Sequence, residues 1–260
     1  TLNHLVGFKP SSGIISGAGV VPLAPTLDVL GPIARSVADA HALVAILAGP
    51  DSADPLTQQI SPDISEGLRQ ALPAITGGTL PALHVLDPQS FPCSLSDDAQ
   101  RVWDEALQRL TNAGWTLKFW TPSEQLNIGE LSEENSLILG YEGFQLYGDL
   151  ARDATQPIWE VVRQRILAGG NTTRARYEQA IARRKPAVER FAEAMGDGGV
   201  LLMPATGHGA LPLDSEDRAH ASIGHFCRAG NFLGAPAIAL PAGFDDNGMP
   251  VGVQLMASPL

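Results

Sequence analysis

The sequence predicts an α/β protein in which a mixed β-sheet is covered by helices. Short apolar strands alternate with amphipathic helices near both ends of the chain, and a long helical stretch at about 130–195 separates the two alternating parts. With 260 residues, of which 44% are hydrophobic, the chain can bury a substantial core. We find no linker of low complexity and therefore expect one domain, 1–260, with a helical insert at about 130–195.

The clearest helix near the start of the chain is SVADAHALVAILAGP. Ser36 is its expected N-cap, Asp39 takes a capping-box-like position three residues later, and Gly49 with Pro50 ends it. A loop rich in Asp, Ser and Pro follows at 51–62. The apolar stripe of this helix is expected to consist of Val37, Ala40, Val44 and Leu47.

The next elements continue the alternation of strand and helix. PALHVLD predicts a short buried strand, and SLSDDAQRVWDEALQRLTNAG predicts a helix that Ser96 caps and Gly114 ends. WTLKFW alternates apolar and polar residues and predicts another strand.

The remaining chain predicts helices followed by a terminal hairpin. The helical stretch at about 130–195 should break near Pro157 and at Gly169, and VLLMP should form a buried strand after it. HFCRAGNFLGAP predicts a helix that ends at Gly234. AIALPAGF and PVGVQLMA should be paired strands, because DDNG supplies a tight turn between them.

Composition excludes several classes of function. The 17 basic and 28 acidic residues give a net charge of −11, which disfavours direct nucleic-acid binding and an anionic membrane surface. The longest apolar run, at 42–48, is far shorter than a membrane span. Cys93 and Cys227 cannot form a disulfide framework, so we expect a soluble, cytoplasmic protein. The sequence leaves a homodimer open.

Two motifs that could hold a cofactor or a metal are weak. GAGVVP at 17–22 lacks the third glycine of a dinucleotide-binding loop, and Pro22 would interrupt the following helix, so turn glycines are the better interpretation. His220, His225 and Cys227 lie close in sequence but lack the paired spacing of zinc sites. We therefore predict no cofactor and no metal.

The serines and the arginines of the chain also have ordinary structural interpretations. Ser11, Ser12 and Ser16 lie among glycines, but the sequence gives no reason to expect a His or Asp beside them as an activating base. There is also no GxSxG motif. We interpret these serines as turn residues. The run TTRARYEQAIARRKPAVER has apolar positions at helical spacing, which favours a solvated helix face for its basic residues. Those residues are Arg174, Arg176, Arg183, Arg184 and Lys185.

Three blocks of the sequence together resemble the amidase signature family. GFKPSSGIISGAGVVPLAPTLDVLGPIARSVADA is similar to the segment that directly follows the family's catalytic serine. PIWEVVRQRILAGGNTTRARYEQA resembles the family's helical insert, and NFLGAPAIALPAGFDDNGMPVGVQLMASP resembles its C-terminal hairpin. The order and spacing of the blocks also match, although 51–129 is matched only in its order of helices and strands.

The resemblance implies a large twisted mixed sheet and a reaction at the C–N bond of a small-molecule amide. In the family a serine is the nucleophile, a second serine on a cis peptide bond activates it, and a lysine acts as the base, without metal or cofactor. These residues precede the GFKP block, so we expect the lysine and both serines N-terminal to Thr1, and Lys9, Ser11 and Ser12 match none of them. We expect 1–260 to be an incomplete, internal part of such a domain, with no catalytic residue and no activity alone.

The resemblance assigns substrate binding to Arg165, Arg228 and Asn231. Arg165 matches the position where glutamine-using members place an arginine toward the substrate carboxylate, and a structural ion pair inside the insert is the alternative. Arg228 and Asn231 match a polar helix before the last strands, where Asn231 also suits a structural hydrogen bond. Glutamine-using members carry an acidic residue where this chain has Gly224.

Three functions follow from these expectations. An amide hydrolase is the leading hypothesis. The alternative is the A-type subunit of a glutamine-dependent tRNA amidotransferase, which Gly224 weakens. A non-catalytic scaffold protein of the same fold is the third hypothesis.

Overall fold

The computed structural model describes residues 2–70, 83–212 and 223–260. Within these ranges, seven strands form one sheet in the order β2-β1-β6-β7-β5-β3-β4. β3 runs parallel to β4 and β5, whereas the other neighbours pair antiparallel, so the predicted mixed α/β sheet is confirmed. The strands are β1 (Val6–Lys9), β2 (Ile33–Ala34), β3 (Leu83–Leu86), β4 (Leu117–Trp120), β5 (Val200–Pro204), β6 (Ala237–Phe244) and β7 (Pro250–Ala257).

Seven α-helices of the described ranges accompany this sheet. α4 is central, because α5, α6 and α7 all pack against it. The predicted helical stretch is confirmed, since α4 ends before Pro157 and α5 ends at Gly169, while the single-domain organisation stays a prediction. None of these helices is long and apolar enough to span a bilayer. The helices are α1 (Val37–Leu47), α2 (Pro62–Arg69), α3 (Asp97–Asn112), α4 (Ile128–Arg152), α5 (Glu160–Gly169), α6 (Arg174–Met195) and α7 (Cys227–Phe232).

The predicted N-caps are present, but the predicted stripe of α1 is only half buried. Ser36 Oγ accepts the N–H of Asp39 at 3.1 Å, as expected for a cap. Val37 and Leu47, however, are 42% and 54% exposed, and only Ala40 and Val44 of the predicted stripe are buried. The prediction was wrong for the two outer positions; in the described part of the chain α1 packs mainly against α2, β1 and β2.

The core lies on both faces of the sheet, and β5 shows how the chain fills both. Leu201 and Met203 point into a cluster with Phe191 and Phe232, between the sheet and the helices around α4. Leu202 points the other way, into a cluster with Trp103 of α3. Successive strand residues face opposite sides, so a continuous apolar strand such as VLLMP requires cover on both faces.

Arg176 and Arg183 of α6 are 42% and 41% exposed, in agreement with the predicted solvated face, but both also pair with a buried carboxylate. Arg176 Nη2 and Arg183 Nη1 each donate to Oε1 of Glu134 at 2.7 Å, and the Glu134 side chain is only 5% exposed. Arg174 and Lys185 are exposed, as predicted. The periodicity of α6 cannot reveal this pairing, because the carboxylate belongs to α4.

Candidate functional site

A cleft of about 270 Å³ lies where β1 meets β6, β7 and the start of α7. Its floor is formed by residues on one face of the sheet, since Gly7 pairs with Ala239, Lys9 pairs with Ala237, and Ala239 pairs with Gln254. The glycine and the two alanines leave space above the strands. Lys9 and Gln254 are therefore the long polar side chains of this floor.

Lys9 carries an amine whose pKa is lowered in this cleft. Its Nζ donates to the carbonyl of Pro10 at 3.1 Å. Burial of the amine, and then the positive charge of Arg184, lower the pKa of Lys9 to about 8. The sequence indicated only that Lys9 is not the lysine of the family's catalytic set. The alternation of Gly7, Phe8 and Lys9 along β1 was the signal that could have placed its side chain here.

The catalytic lysine and the two serines of the family were expected to precede Thr1, and that expectation stays a prediction. Thr1 itself lies outside the described residues, which begin at residue 2. Ser11 and Ser12, to which the resemblance assigns no catalytic role, follow β1 after Pro10. Ser11 is 5% exposed, and its carbonyl accepts the N–H of Ile14 at 3.3 Å. This bond agrees with the interpretation of the serines as turn residues.

Arg184 ties the helical insert to the cleft region. Its Nε donates to the carbonyl of Phe232 on α7 at 2.8 Å, and its Nη1 donates to the carbonyl of Thr26 at 2.9 Å. Burial lowers the pKa of Arg184, and the nearby Glu142 carboxylate opposes this change. The predicted solvated face is thus wrong for Arg184, which is half-buried and bonds α7.

Arg165 and Arg228, predicted from separate parts of the sequence, lie within electrostatic range of each other. Arg165 is on α5 and Arg228 is on α7, and both helices pack against α4. Arg228 is half-buried. Burial of its guanidinium, and then the positive charge of Arg165, lower the pKa of Arg228 below its ordinary value. The structure therefore brings two of the three predicted substrate-binding residues into one electrostatic neighbourhood.

Asn231, the third predicted residue, follows Arg228 by three positions on α7. Residues three apart share a helix face, so Asn231 and Arg228 belong to one side of this short helix. Asn231 is half-buried, and its carbonyl accepts the N–H of Gly234 at 3.0 Å. Cys227 lines the cleft, and its thiol donates to the carbonyl of Ala205 at 3.4 Å.

The insert also contains an arginine with a structural role, Arg163, which sequence reasoning did not single out. Arg163 is 8% exposed, and its guanidinium donates to the carbonyls of Ala151, Asp153 and Gln156 at 2.6–2.9 Å. These bonds close the turn between α4 and α5. Arg163 is therefore one residue that fixes how α5 leaves α4, and so where Arg165 lies.

The glycine and serine residues of the loop before α1 form a turn. The N–H of Val20 donates to the carbonyl of Gly17, and Gly19 has a φ of 81°. Ser16 Oγ donates to Asp51 Oδ2 at 2.7 Å and accepts the N–H of Ala18. The interpretation of this stretch as a turn is confirmed, since β2 and not a helix comes next.

The predicted absence of a metal site stays a prediction, to which the structure adds one observation. In 2–70, 83–212 and 223–260, no group of three or more His, Cys, Asp or Glu side chains is arranged to hold a metal ion. His225 lies within these ranges and is half-buried, whereas His220 lies outside the described residues.

A comparison with known proteins identifies the family of this chain. The amidase family profile matches residues 1–260. The chain belongs to the amidase family. The A-type subunit of glutamyl-tRNA(Gln) amidotransferase from Thermus thermophilus is 29% identical over 273 residues, which cover 96% of this chain and 56% of that protein. The chain thus spans about half the length of the curated relatives it matches.

Solved amidase-family structures share the fold. The A-type subunit of glutamyl-tRNA(Gln) amidotransferase from Thermotoga maritima superposes with a TM-score of 0.76 at 26% identity, covering 99% of this chain and 55% of that one. A crystal structure of an amidase gives a TM-score of 0.77 at 24% identity, covering 99% and 55%. The expected amidase fold is therefore confirmed.

Proposed function

We propose that the protein containing this chain hydrolyses the C–N bond of small carboxamides. The observation that supports the proposal is that Arg228 lies on α7, whose first residue Cys227 lines the cleft, and that the positive charge of Arg165 acts on Arg228. Guanidinium groups hold planar carboxylates or carbonyl oxygens through directed hydrogen bonds. The pair would fix one end of an amide substrate and leave its C–N bond to the catalytic residues.

The proposed chemistry is that of the family that the sequence resembles. A serine attacks the amide carbonyl, a second serine passes its proton toward a lysine, and backbone N–H groups stabilise the oxyanion. No residue of 1–260 matches these three roles. We propose that they come from the part of the relatives' length that this chain does not span.

The first prediction compares the amidase activity of this chain with that of the longer protein. Purified 1–260 is expected to release no ammonia from malonamate or from a simple aryl amide, because no serine in it has a matched activating lysine. The protein translated from the full reading frame is expected to release ammonia. Turnover by 1–260 that a serine-directed inhibitor abolishes would contradict the assignment of the catalytic residues, and no turnover by either protein would favour the scaffold hypothesis.

The second prediction concerns Arg165 in that longer protein. Arg165→Ala should raise KM for a carboxylate-bearing amide by about tenfold or more, since a hydrogen bond to a charged group contributes about 1.5–3 kcal/mol. Arg165→Lys should restore binding only in part, because lysine offers a point charge and no fork. The melting temperature should stay nearly unchanged in both variants.

The exposed neighbour Gln164 supplies the control. Gln164→Ala should alter neither KM nor the melting temperature, since surface substitutions usually change stability little. If Arg165→Ala lowers the melting temperature strongly while KM stays constant, Arg165 is a structural residue and the binding role is lost.

A second candidate function is the A-type subunit of a glutamine-dependent amidotransferase. The names of the curated relatives favour it. Gly224 opposes it, because glutamine-using members carry an acidic residue there. Glutaminase activity that rises when partner subunits are added would support this candidate, whereas hydrolysis of free amides without partners would support the amidase.

A further inference from the structure

The cleft above β1 leaves an open approach to the amine of Lys9. Gly7 and Lys9 are two residues apart on one strand and therefore face the same side of the sheet. A Cβ atom added at Gly7 would meet no heavy atom within 4 Å, so the space beside Lys9 along the strand is open. Gly31 forms one wall of the cleft, and a Cβ atom added there would lie 2.0 Å from the carbonyl oxygen of Phe8. This wall is therefore pressed against β1, while the space above Gly7 stays accessible.

The Lys9 amine makes one hydrogen bond and has no ion-pair partner in the described part of the chain. Its Nζ donates to the carbonyl of Pro10 at 3.1 Å. The charge that acts on it within those residues is the guanidinium of Arg184, which has the same sign. A cation that is buried beside a like charge is disfavoured, whereas a neutral nitrogen does not carry this cost. The surroundings of Lys9 therefore favour an uncharged nitrogen.

An accessible amine that is disfavoured as a cation is suited to covalent modification. We propose that Lys9 is a site of N-acylation by small acyl thioesters, a modification that does not depend on the proposed hydrolase activity. The neutral Nζ attacks the thioester carbonyl carbon, the C–S bond breaks, and the leaving thiolate takes up the proton that the nitrogen releases. The product amide is uncharged and keeps one N–H for the carbonyl of Pro10. Acylation thus removes the charge that burial and Arg184 disfavour.

The amine, and not the neighbouring thiol, is the nucleophile of this cleft. Cys227 also lines the cleft, and its Sγ donates to the carbonyl of Ala205 at 3.4 Å. The residue as a whole is exposed, but burial of its sulfur raises the pKa of the thiol, so little of the reactive thiolate is present at neutral pH. Burial, and then Arg184, lower the pKa of Lys9 to about 8, so about one tenth of this amine is neutral at pH 7.

The other lysines of the chain, Lys118 and Lys185, are exposed and provide an internal comparison. The protein translated from the full reading frame is treated at pH 7 with S-acetyl-N-acetylcysteamine, and peptide mass spectrometry gives the acetylation rate of each lysine. Lys9 should react at least about tenfold faster than the other two, because its larger neutral fraction outweighs the weaker nucleophilicity of a less basic amine. In urea-unfolded protein the three rates should be similar. An equal or lower rate at Lys9 in the folded protein would overturn the inference.

The pH profile of the reaction identifies the amine that reacts. The acetylation rate at Lys9 should rise with pH and level off above a midpoint near 8, where the amine becomes fully neutral. Within the described residues, the ionisable groups that face Lys9 are Arg184 and Cys227. Arg184 stays charged over this range, and the raised pKa of Cys227 places its ionisation at higher pH. A rate at Lys9 that still rises steeply through pH 10 would overturn the inference.

Two variants test the cleft, and a third serves as a control. Gly7→Val fills the open space beside Lys9 and should slow its acetylation about tenfold or more, because the thioester can no longer approach. Gly67→Val places the same side chain at an open position of α2 and should leave the rate at Lys9 unchanged. Cys227→Ser should also keep the rate, because the attack by Lys9 is direct. An unchanged rate in a folded Gly7→Val variant, or loss of acetylation in Cys227→Ser, would overturn the inference.

The reaction at Lys9 can be separated from the proposed hydrolase. A serine-directed inhibitor should abolish amide hydrolysis by the longer protein and leave the acetylation rate of Lys9 unchanged. Acetylation of Lys9 in a protein that hydrolyses no amide would keep this inference and contradict the hydrolase. Acetylation that stops when the inhibitor is added would show that an acylated serine, and not the thioester, supplies the acyl group, and would overturn direct attack by Lys9.

Discussion

Replacing Glu142 with alanine is expected to lower the free energy of unfolding by about 3–5 kcal/mol, the usual effect of removing one member of a buried charged cluster. Glu142 lies on α4 and is 7% exposed. Its Oε1 accepts hydrogen bonds from Thr26 Oγ1 at 2.6 Å and from Tyr177 OH at 2.8 Å, and its Oε2 accepts the N–H of Thr26 at 3.0 Å. Without Glu142, these three donors lose their acceptor, and Arg184 loses a nearby negative charge.

Urea unfolding of the variant, followed by circular dichroism, gives this free energy directly. Glu142→Gln should be less damaging than Glu142→Ala, because the amide keeps one oxygen acceptor of similar size. Glu133→Ala, at an exposed position of the same helix, should change the stability by less than about 0.5 kcal/mol. A loss of under about 1 kcal/mol in Glu142→Ala would show that water or another group replaces the carboxylate easily.

The effect of Glu142→Ala should extend to the candidate site. Arg184 bonds the carbonyls of Thr26 and Phe232, so it links the loop before β2 to the end of α7. Burial, and then the hydrogen bond to Glu142, raise the pKa of Tyr177 to about 12, which keeps this donor protonated at physiological pH. Loss of the carboxylate therefore weakens the support of α7, the helix that carries Arg228.

The features of the fold that the sequence predicts correctly are mainly those that depend on interactions between residues close in sequence. The cap at Ser36, the break of the helical stretch at Gly169 and the hairpin around the DDNG turn depend on residues near each other in sequence, and all three are present. α2 was not predicted, because its first turn follows a loop rich in Asp, Ser and Pro, although Ser61 caps it and Pro62 is well suited to a first helical turn.

The features of the fold and of the candidate site that the sequence does not predict depend on packing between elements that are distant in sequence. Nothing in the periodicity of α6 indicates that Arg176 and Arg183 face a buried carboxylate, since Glu134 belongs to another helix. The electrostatic influence of Arg165 on Arg228 has the same origin, because α5 and α7 both pack against α4. Resemblance to a family suggested both residues, but only the fold places them together.

Replacing Gly169 with alanine should also be strongly destabilising, because α5 ends in direct contact with the backbone of α4. A Cβ atom at Gly169 would lie 1.9 Å from the carbonyl oxygen of Gly140 and 2.5 Å from its carbonyl carbon. This oxygen belongs to the helical backbone and cannot move aside as a flexible side chain would. We expect a loss of about 2–3 kcal/mol in the free energy of unfolding, at the upper end of the overpacking range.

Gly140 offers a matched control on the other side of the same contact. A Cβ atom at Gly140 would meet the α-carbon of Gly169 at 3.5 Å, an ordinary contact distance. Gly140→Ala should therefore be neutral or stabilising by up to about 1 kcal/mol, because alanine favours the helix interior more than glycine does. Equal effects of the two substitutions would mean that helix propensity, and not the close approach of α4 and α5, controls stability here.

The two glycine variants can also show whether the position of α5 affects substrate binding by Arg165 and Arg228 independently of stability. Arg165 lies about one turn before Gly169 on α5, so a shift of this helix away from α4 moves Arg165 relative to Arg228 on α7. In the longer protein, Gly169→Ala should therefore raise KM for malonamate even at temperatures where it is fully folded, whereas Gly140→Ala should keep the KM of the unaltered protein. Unchanged KM in a folded Gly169→Ala variant would show that the position of α5 does not set the binding geometry, and that Arg228 acts without Arg165.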